Sequence, residues 1–325
     1  DLYLVGGVVR DLMIGNVAHS PDTDYIICRI PYDEVVRILK KFGKTNLVGK
    51  SFGVIKFETP EGETVDISLP RTESSTGEGH RDFEVRSDES LPVDKDLERR
   101  DYTINSMALH LGEGRIVDPL GGREDLEKRI LRVNRPSSFV EDPLRILRGV
   151  QFMARFSLSV EKETKALMGE HVPLLSTVSP ERIREELNKL ILSRKPSEGF
   201  ILMHDTGMLS VVFPELDETW GITQNEFHPD DVFYHSVKSC DAAEPELAVR
   251  WSALLHDLGI LGLMFPTRQR EYFELVLMHL FEHEFSECTW RPVRRTSPSA
   301  TCARCPRPTL RCFDGSYAPD AHRPD

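Results

Sequence analysis

The chain has 325 residues, 53 of them acidic and 41 basic, for a formal net charge of −12. That length predicts two to three folding units with ample material for a buried core, and the acidic balance excludes a uniformly basic nucleic-acid-binding surface. No apolar run is long enough to span a bilayer and no signal-peptide pattern is present, so no membrane contact and a cytoplasmic location are expected. The charge is uneven: residues 99 to 155 carry 11 Lys/Arg against 8 Asp/Glu, a net of +3, whereas residues 200 to 260 carry 2 against 11, a net of −9. Contact with phosphate is therefore expected on the amino-terminal half and its helical neck.

From the amino terminus, Asp1 to Val5 reads as a short apolar strand, Tyr3 to Val5 at its centre, entering Gly6-Gly7-Val8-Val9-Arg10-Asp11. A glycine pair lets backbone approach a polyphosphate closely, and Arg10 can meet its charge. After a polar loop, Asp22-Thr23-Asp24 opens a second strand, Tyr25 to Cys28. Carboxylates at i and i+2 on a strand point the same way, and Mg²⁺ prefers one or two carboxylates plus phosphate oxygens. Asp22 and Asp24 are thus candidate metal ligands. In isolation such a pair is usually two solvated turn residues; after a strand and a Gly-Gly turn it points to nucleotidyl transfer. A helix follows over Tyr32 to Phe42, then strands over Val54 to Phe57 and Thr64 to Ser68, which suits a small mixed sheet with helices on one face. Arg71 to Glu98 is polar, contains Gly77 and Gly79, and reads as a mobile loop.

From residue 120 onward the pattern is helical. Glu141-Asp142-Pro143-Leu144-Arg145-Ile146-Leu147-Arg148 places an acceptor, Asp142, one turn from a rigid donor fork, Arg145. Cytosine and adenine each show an exocyclic amine beside a bare ring nitrogen, whereas uracil and guanine show a carbonyl beside a ring N–H. A carboxylate next to a guanidinium accepts the first two and leaves buried polar groups unpaired against the others. The alternative is local: Asp142 before Pro143 is also a good helix cap. Ile146, Leu147, Val150, Met153 and Ala154 form an apolar stripe that leaves Asp142, Arg145 and Arg148 on more polar faces. Ser179-Pro180 opens a helix, Glu181 to Leu192, read as solvated surface with Glu185 and Glu186 structural, and Ser193 to Ser197 is the best linker candidate.

Four segments carry a family resemblance. Gly6 to Asp24 resembles the signature of the DNA polymerase β nucleotidyltransferase superfamily; Arg99-Arg100-Asp101-Tyr102-Thr103-Ile104-Asn105-Ser106-Met107-Ala108 is similar to an Arg-Arg-Asp-Phe-Thr-Ile-Asn-Ala motif; Asp118-Pro119-Leu120-Gly121-Gly122 resembles an Asp-Pro-x-Gly-Gly turn; and Glu141 to Phe156 resembles a nucleotide-selecting helix. Together, over roughly residues 1 to 195, they resemble the tRNA nucleotidyltransferase and bacterial poly(A) polymerase family, the bacterial-type CCA-adding enzymes. The resemblance implies an α+β fold: a polymerase β-like head with a small mixed sheet (1–118), an all-helical neck that selects nucleotides and binds RNA (119–197), and a partial helical HD-like region (198–285) before an irregular tail (286–325). It implies Mg²⁺ on Asp22 and Asp24, the triphosphate on Gly7 and Arg10, and the ribose 2′-hydroxyl on Arg100 and Asp101. Base and phosphate contacts fall to Asp142, Arg145 and Arg148. Two cations would then clamp the 3′-hydroxyl of a tRNA and the α-phosphate of CTP or ATP in an in-line displacement releasing pyrophosphate. A-adding and poly(A)-forming activity are the alternatives within the family. The resemblance associates the Arg71 to Glu98 loop with completing the terminal A. The chain departs from the pattern at Gln151, where many relatives carry another arginine, and in a slightly longer loop between Gly7 and Asp22. Asp66 is either a third carboxylate of the superfamily type or an edge-strand surface residue.

Downstream, His235 with His256-Asp257-Leu258-Gly259 resembles the HD phosphohydrolase domain found after the neck in some of these enzymes. The Lys-Pro and Gly-His-Glu segments expected next are missing, and Leu261 to Phe285, with His279, resembles a later helix. An internal deletion is therefore expected, with two histidines packed in a bundle rather than a working metal centre. Residues 286 to 325 hold 4 of the 6 cysteines, 6 prolines and 7 arginines without apolar periodicity. Cys288, Cys302, Cys305 and Cys312 make a poor zinc pattern, and because the family resemblance is lost near Glu284 a frameshifted or mispredicted carboxyl terminus is expected. The absence of an initial methionine suggests a fragment. An HD-type phosphohydrolase and a non-catalytic RNA-binding module complete the alternatives.

Overall fold

Seven short strands make one mixed sheet, built on the apolar run Leu2–Val5 at its interior and on alternating apolar residues in Val54–Glu58 and Thr64–Ser68. A computed structural model describes residues 1–15, 23–46, 53–75, 83–223 and 230–258. All of these lie in one compact unit, Asp1–Glu274. Asp22 and everything from Gly259 onward, including His279 and the four late cysteines, lie outside the described residues, so the expectations placed on them stay open.

In chain order the head contains β1 (Leu2–Val5), α1 (Gly7–Met13), β2 (Asp24–Ile27), α2 (Tyr32–Leu39), β3 (Lys44–Asn46), β4 (Val54–Glu58), β5 (Thr64–Ser68), β6 (Arg71–Ser75), β7 (Phe83–Ser87), α3 (Val93–Glu98), β8 (Ala108–His110) and β9 (Arg115–Val117). The sheet order is β3-β4-β5-β2-β1-β8-β9, with β2 and β5 parallel and the other pairs antiparallel. Three findings in the head correct the sequence reading. Strand β5 is interior, so Asp66 is no edge residue. The helices also cover both faces: Val35 and Val36 of α2 pack with Ile55, Phe57 and Ile67, whereas Val93 and Leu97 of α3 pack with Tyr3, Val5 and Ile26. Side chains alternate along a strand, so the Ile67 and Ile26 sets face opposite ways. Nor is Arg71 to Glu98 a plain loop, since β6 pairs antiparallel with β7 and α3 follows. Its polar composition hid a hairpin that is separate from the main sheet.

Beyond the head come α4 (Gly122–Glu127), β10 (Ile130–Leu131), α5 (Ser138–Glu141), α6 (Leu144–Phe156), β11 (Ser159–Val160), α7 (Lys162–Glu170), α8 (Pro180–Ile191), α9 (Pro196–Asp205), α10 (Leu209–Val212), α11 (Pro214–Asp217), α12 (Val232–Ala242) and α13 (Leu247–Leu255). The parallel bridge between β10 and β11 holds the two ends of the α5–α6 segment together. The apolar stripe of α6 is buried as its spacing requires, and α6 packs against α8 and α9. Helix α8 is therefore not a solvated surface helix: Glu186, Leu187, Leu190 and Ile191 are all buried. Ser193 and Ser197 are buried as well, and Arg250 donates to the carbonyls of Ile191 and Ser193 at the end of α8, so this stretch is a packed turn rather than a linker.

Candidate active site

The end of β1 gathers most of the residues singled out by the sequence. Val5 pairs with Asp24 across the β1–β2 ladder, and Asp24 pairs in register with Asp66 on β5. Both carboxylates thus lie on the face that carries Val5 and α3. Asp24 is exposed and Asp66 half exposed, the latter bound by Lys56 Nζ at 3.0 Å. Exposed hard carboxylate oxygens fit a divalent cation of the Mg²⁺ type.

Immediately after Val5 the chain turns at Gly6, whose φ of +78° is a left-handed conformation that disfavours side chains. A Cβ there would also meet Arg100 Nη1 at 2.8 Å, so the glycine is what lets this guanidinium lie against the turn. Asp96, fully buried on α3, holds Arg100 at 3.2 Å and Arg99 at 2.7 Å. Burial pushes the Asp96 carboxyl up, but Arg100 and Arg99 outweigh it and the net shift is downward.

One turn further, Arg10 on α1 is buried yet charged. Burial lowers its pKa, opposed by Asp11, whose Oδ1 accepts from Arg10 Nε at 2.9 Å. Arg10 Nη1 also donates to Asn105 Oδ1 at 2.6 Å, Asn105 Nδ2 donates to Asp101 Oδ1 at 3.1 Å, and Arg148 Nε donates to Asp101 Oδ2 at 2.8 Å. A continuous polar path therefore runs from α1 through the Arg99 to Ser106 segment into α6. For Asp101 burial raises the pKa, but Arg148, Asn105 and the Tyr102 amide overcome that and hold it below the ordinary range. Asn105 stands inside the quoted motif, but its bridging role required the fold to be seen.

Helix α6 is seated by a second glycine. A Cβ on Gly149 would stand 2.0 Å from Tyr102 Oη, which donates to the Arg145 carbonyl at 2.8 Å. Asp142 does cap this helix, accepting from the Leu144 N–H at 3.2 Å, as the local alternative required. The same carboxylate accepts from Arg182 of α8 at 3.1 Å. Arg145 is buried and pairs with Glu141 at 3.3 Å, and Glu141 also accepts from Arg135 at 2.8 Å. The structure thus holds Asp142 and Arg145 through different partners rather than through each other. Arg182 and Glu141 escaped the sequence reading; charged residues at helical spacing look like surface until the packing partner is known. A concavity of about 340 Å³ beside α4 contains none of these residues, and its charges are already paired, Lys128 with Glu124 and Arg132 with Asp125.

A separate cluster lies on α12 and just beyond α13. His235 Nε2 is 3.2 Å from His256 Nε2, and both are within 3.5 Å of Asp257 Oδ2. His256 is exposed and His235 half exposed, so these histidines are not packed away as expected. The Ala253 carbonyl lies 2.7 Å from His256 Nδ1, a contact that orients the ring with Nε2 towards the cluster.

A family model for the poly(A) polymerase head domain matches residues 2–132, and one for a probable RNA and SrmB-binding site of polymerase A matches residues 157–219. A multifunctional CCA protein of Xanthomonas campestris is 39% identical over 269 residues, 79% of this chain and 63% of its own length. One from Herminiimonas arsenicoxydans is 39% identical over 79% of this chain and 61% of its length. The chain thus spans less than two thirds of these relatives. Among solved structures, the Bacillus stearothermophilus CCA-adding enzyme in complex with CTP superposes with a TM-score of 0.60 at 26% identity, over 80% of this chain and 59% of that one. No helix among the described residues is long and apolar enough to cross a membrane. Head, neck motifs and fold agree, and the chain belongs to the tRNA nucleotidyltransferase and poly(A) polymerase family.

Proposed function

We propose that this chain adds C and A nucleotides to the 3′ end of tRNA from CTP and ATP, without a nucleic-acid template and with release of pyrophosphate, in a cytoplasmic setting. The observation that carries this reading is the meeting of Asp24, the Gly6-Gly7 turn, Arg10, Arg100 and the Asp101–Arg148 pair at the end of β1. Members of the family use divalent metals; Asp22 and Asp24 would hold one here, Mg²⁺ by donor type, and the bound cation would supply charge neutralisation for the reacting phosphate. The Gly7 backbone and Arg10 receive the triphosphate, while Arg100 and Asp101 read the ribose 2′-hydroxyl. Asp142 accepts from the exocyclic amine of C or A. A carboxylate has about four lone-pair sites, so Arg182 and the Leu144 amide leave it acceptor capacity. Arg145, its plane fixed by Glu141, donates to the ring nitrogen, and Arg148 backs it. Uracil and guanine would leave these groups unpaired, which costs more than a missing contact.

Incubation with tRNA transcripts ending at the discriminator base, at C and at CC, each with one labelled nucleotide, tests this. C should add to the first two and A to the third. Addition of A alone to CC ends would assign the A-adding reaction, runs of A would assign poly(A) synthesis, and UTP or GTP use comparable to CTP would refute the selection argument.

The His235, His256 and Asp257 cluster supports a second reading for its own site: a divalent ion bound by two imidazoles and a carboxylate, of the kind that activates water in HD phosphohydrolases.

A further inference from the structure

Along α6, phenyl rings alternate with guanidinium groups. Arg148 lies over the Phe152 ring at 5.2 Å, and Arg10, reaching in from α1, lies over the same ring at 5.6 Å and over Phe156 at 4.1 Å. Arg155 then lies over Phe156 at 5.3 Å. Residues 148, 152 and 156 follow one another at i, i+4 and i+8, so a single helix face carries the ladder and Arg10 is the inserted rung. The charges on the rungs are unequally compensated. Arg148 is neutralised by Asp101 at 2.7 Å and Arg10 by Asp11 at 2.8 Å. Arg155 has only the neutral Gln151 amide, whose Oε1 accepts from its Nη1 at 3.2 Å, and no carboxylate among the described residues. Arg155 is also exposed, whereas Gln151 is buried. The two guanidinium groups that share Phe156 repel one another, which helps to lower the Arg10 pKa. A fixed, exposed guanidinium held beside a second cation, with its fork steadied by an amide and a ring face, is suited to bidentate phosphate contact.

We propose that Arg155 is a phosphate-binding residue at the outer end of this ladder, receiving either the triphosphate of the incoming nucleotide or a phosphodiester of the RNA strand. The inference rests on the nucleotidyl-transfer reading and adds to it a contact beyond Arg148. It also gives a reason for a neutral residue at 151, since a third cation there would crowd Arg148 and Arg155.

The test uses the full chain with Arg155→Gln and Arg155→Lys. One arm titrates CTP and inorganic tripolyphosphate with Mg²⁺; the other titrates a tRNA transcript lacking its terminal CCA at several salt concentrations. Arg155→Gln should bind one of these ligands roughly tenfold more weakly, as loss of a charge-assisted phosphate contact implies, with Arg155→Lys recovering most of the loss. If RNA is the ligand, the slope of log affinity against log salt should also fall by about one in Arg155→Gln. A loss confined to CTP and tripolyphosphate assigns the triphosphate; a loss confined to tRNA assigns the strand. A parent that binds both ligands and an Arg155→Gln chain indistinguishable from it would overturn this inference alone. Equal weakening in both variants with a lowered melting temperature would mark a packing role and overturn it too. A parent that binds neither ligand would overturn the functional reading and this inference together.

Discussion

Asp101 joins three parts of the site: it accepts from Arg148, Asn105 and its own neighbour's amide. Asp101→Asn keeps the shape but leaves Arg148 without its counter-charge. Arg148 retains 34% side-chain exposure, so the cost should lie below that of a fully buried broken pair, about 1–3 kcal/mol by urea unfolding. The same residue gives a pH signature. Its folded pKa lies below the ordinary 3.8, so the unfolded chain takes up a proton first as pH falls. Its stabilisation is therefore complete above about pH 4 and is lost as pH drops through the folded value. Asp101→Asn should flatten that acid limb, and an unchanged acid limb would contradict the assignment. Arg182 offers a test of selection at the same scale. Arg182→Gln removes an exposed ion pair from the Asp142 carboxylate, worth about 0.5–1 kcal/mol. The preference for CTP over UTP should fall by about two- to fivefold, read as a ratio of initial incorporation rates.

At the scale of elements, α6 is the piece on which head and neck depend, and Gly149 decides how it sits. With Tyr102 Oη 2.0 Å from the position of an added Cβ, Gly149→Ala forces the helix or the ring to move. Loss of about 1–3 kcal/mol is expected, seen as a lower melting temperature, and an unshifted melt would show that the contact is soft. The apolar stripe of α6, the strand Thr64–Ser68 and the helix start at Tyr32 were legible in the sequence, because each depends on local periodicity. The β6–β7 hairpin was not, because Arg71–Ser75 has no apolar residue and pairs only with β7. The burial of Glu186 on α8 was hidden for a related reason. Periodicity marks an amphipathic helix but not which charged residues its neighbour covers. In the site, residue type singled out Gly7 and Arg10, whereas Arg100, Asp101 and Arg148 were named through the family resemblance. The Arg10–Asn105–Asp101 bridge spans 95 positions at its first link and could emerge only from the fold.

For the whole molecule, the sheet end and the α12–α13 cluster are two separate groups of polar side chains within one chain. If the cluster holds a metal, Mn²⁺ or Ni²⁺ should raise the melting temperature of the parent. His235→Ala and His256→Ala should abolish that rise while leaving nucleotide addition intact. Loss of nucleotide addition in those variants, or a metal-induced shift that survives them, would contradict this division. The central claim, that carboxylates at the opening of β2 support nucleotide transfer to a tRNA end, is tested most directly by Asp24→Ala. In a protein shown by its melt to be folded, label from CTP and ATP should be incorporated on the order of a thousandfold more slowly than in the parent, as expected when charge stabilisation at the reacting phosphate is removed. Incorporation at the parental rate would contradict the account.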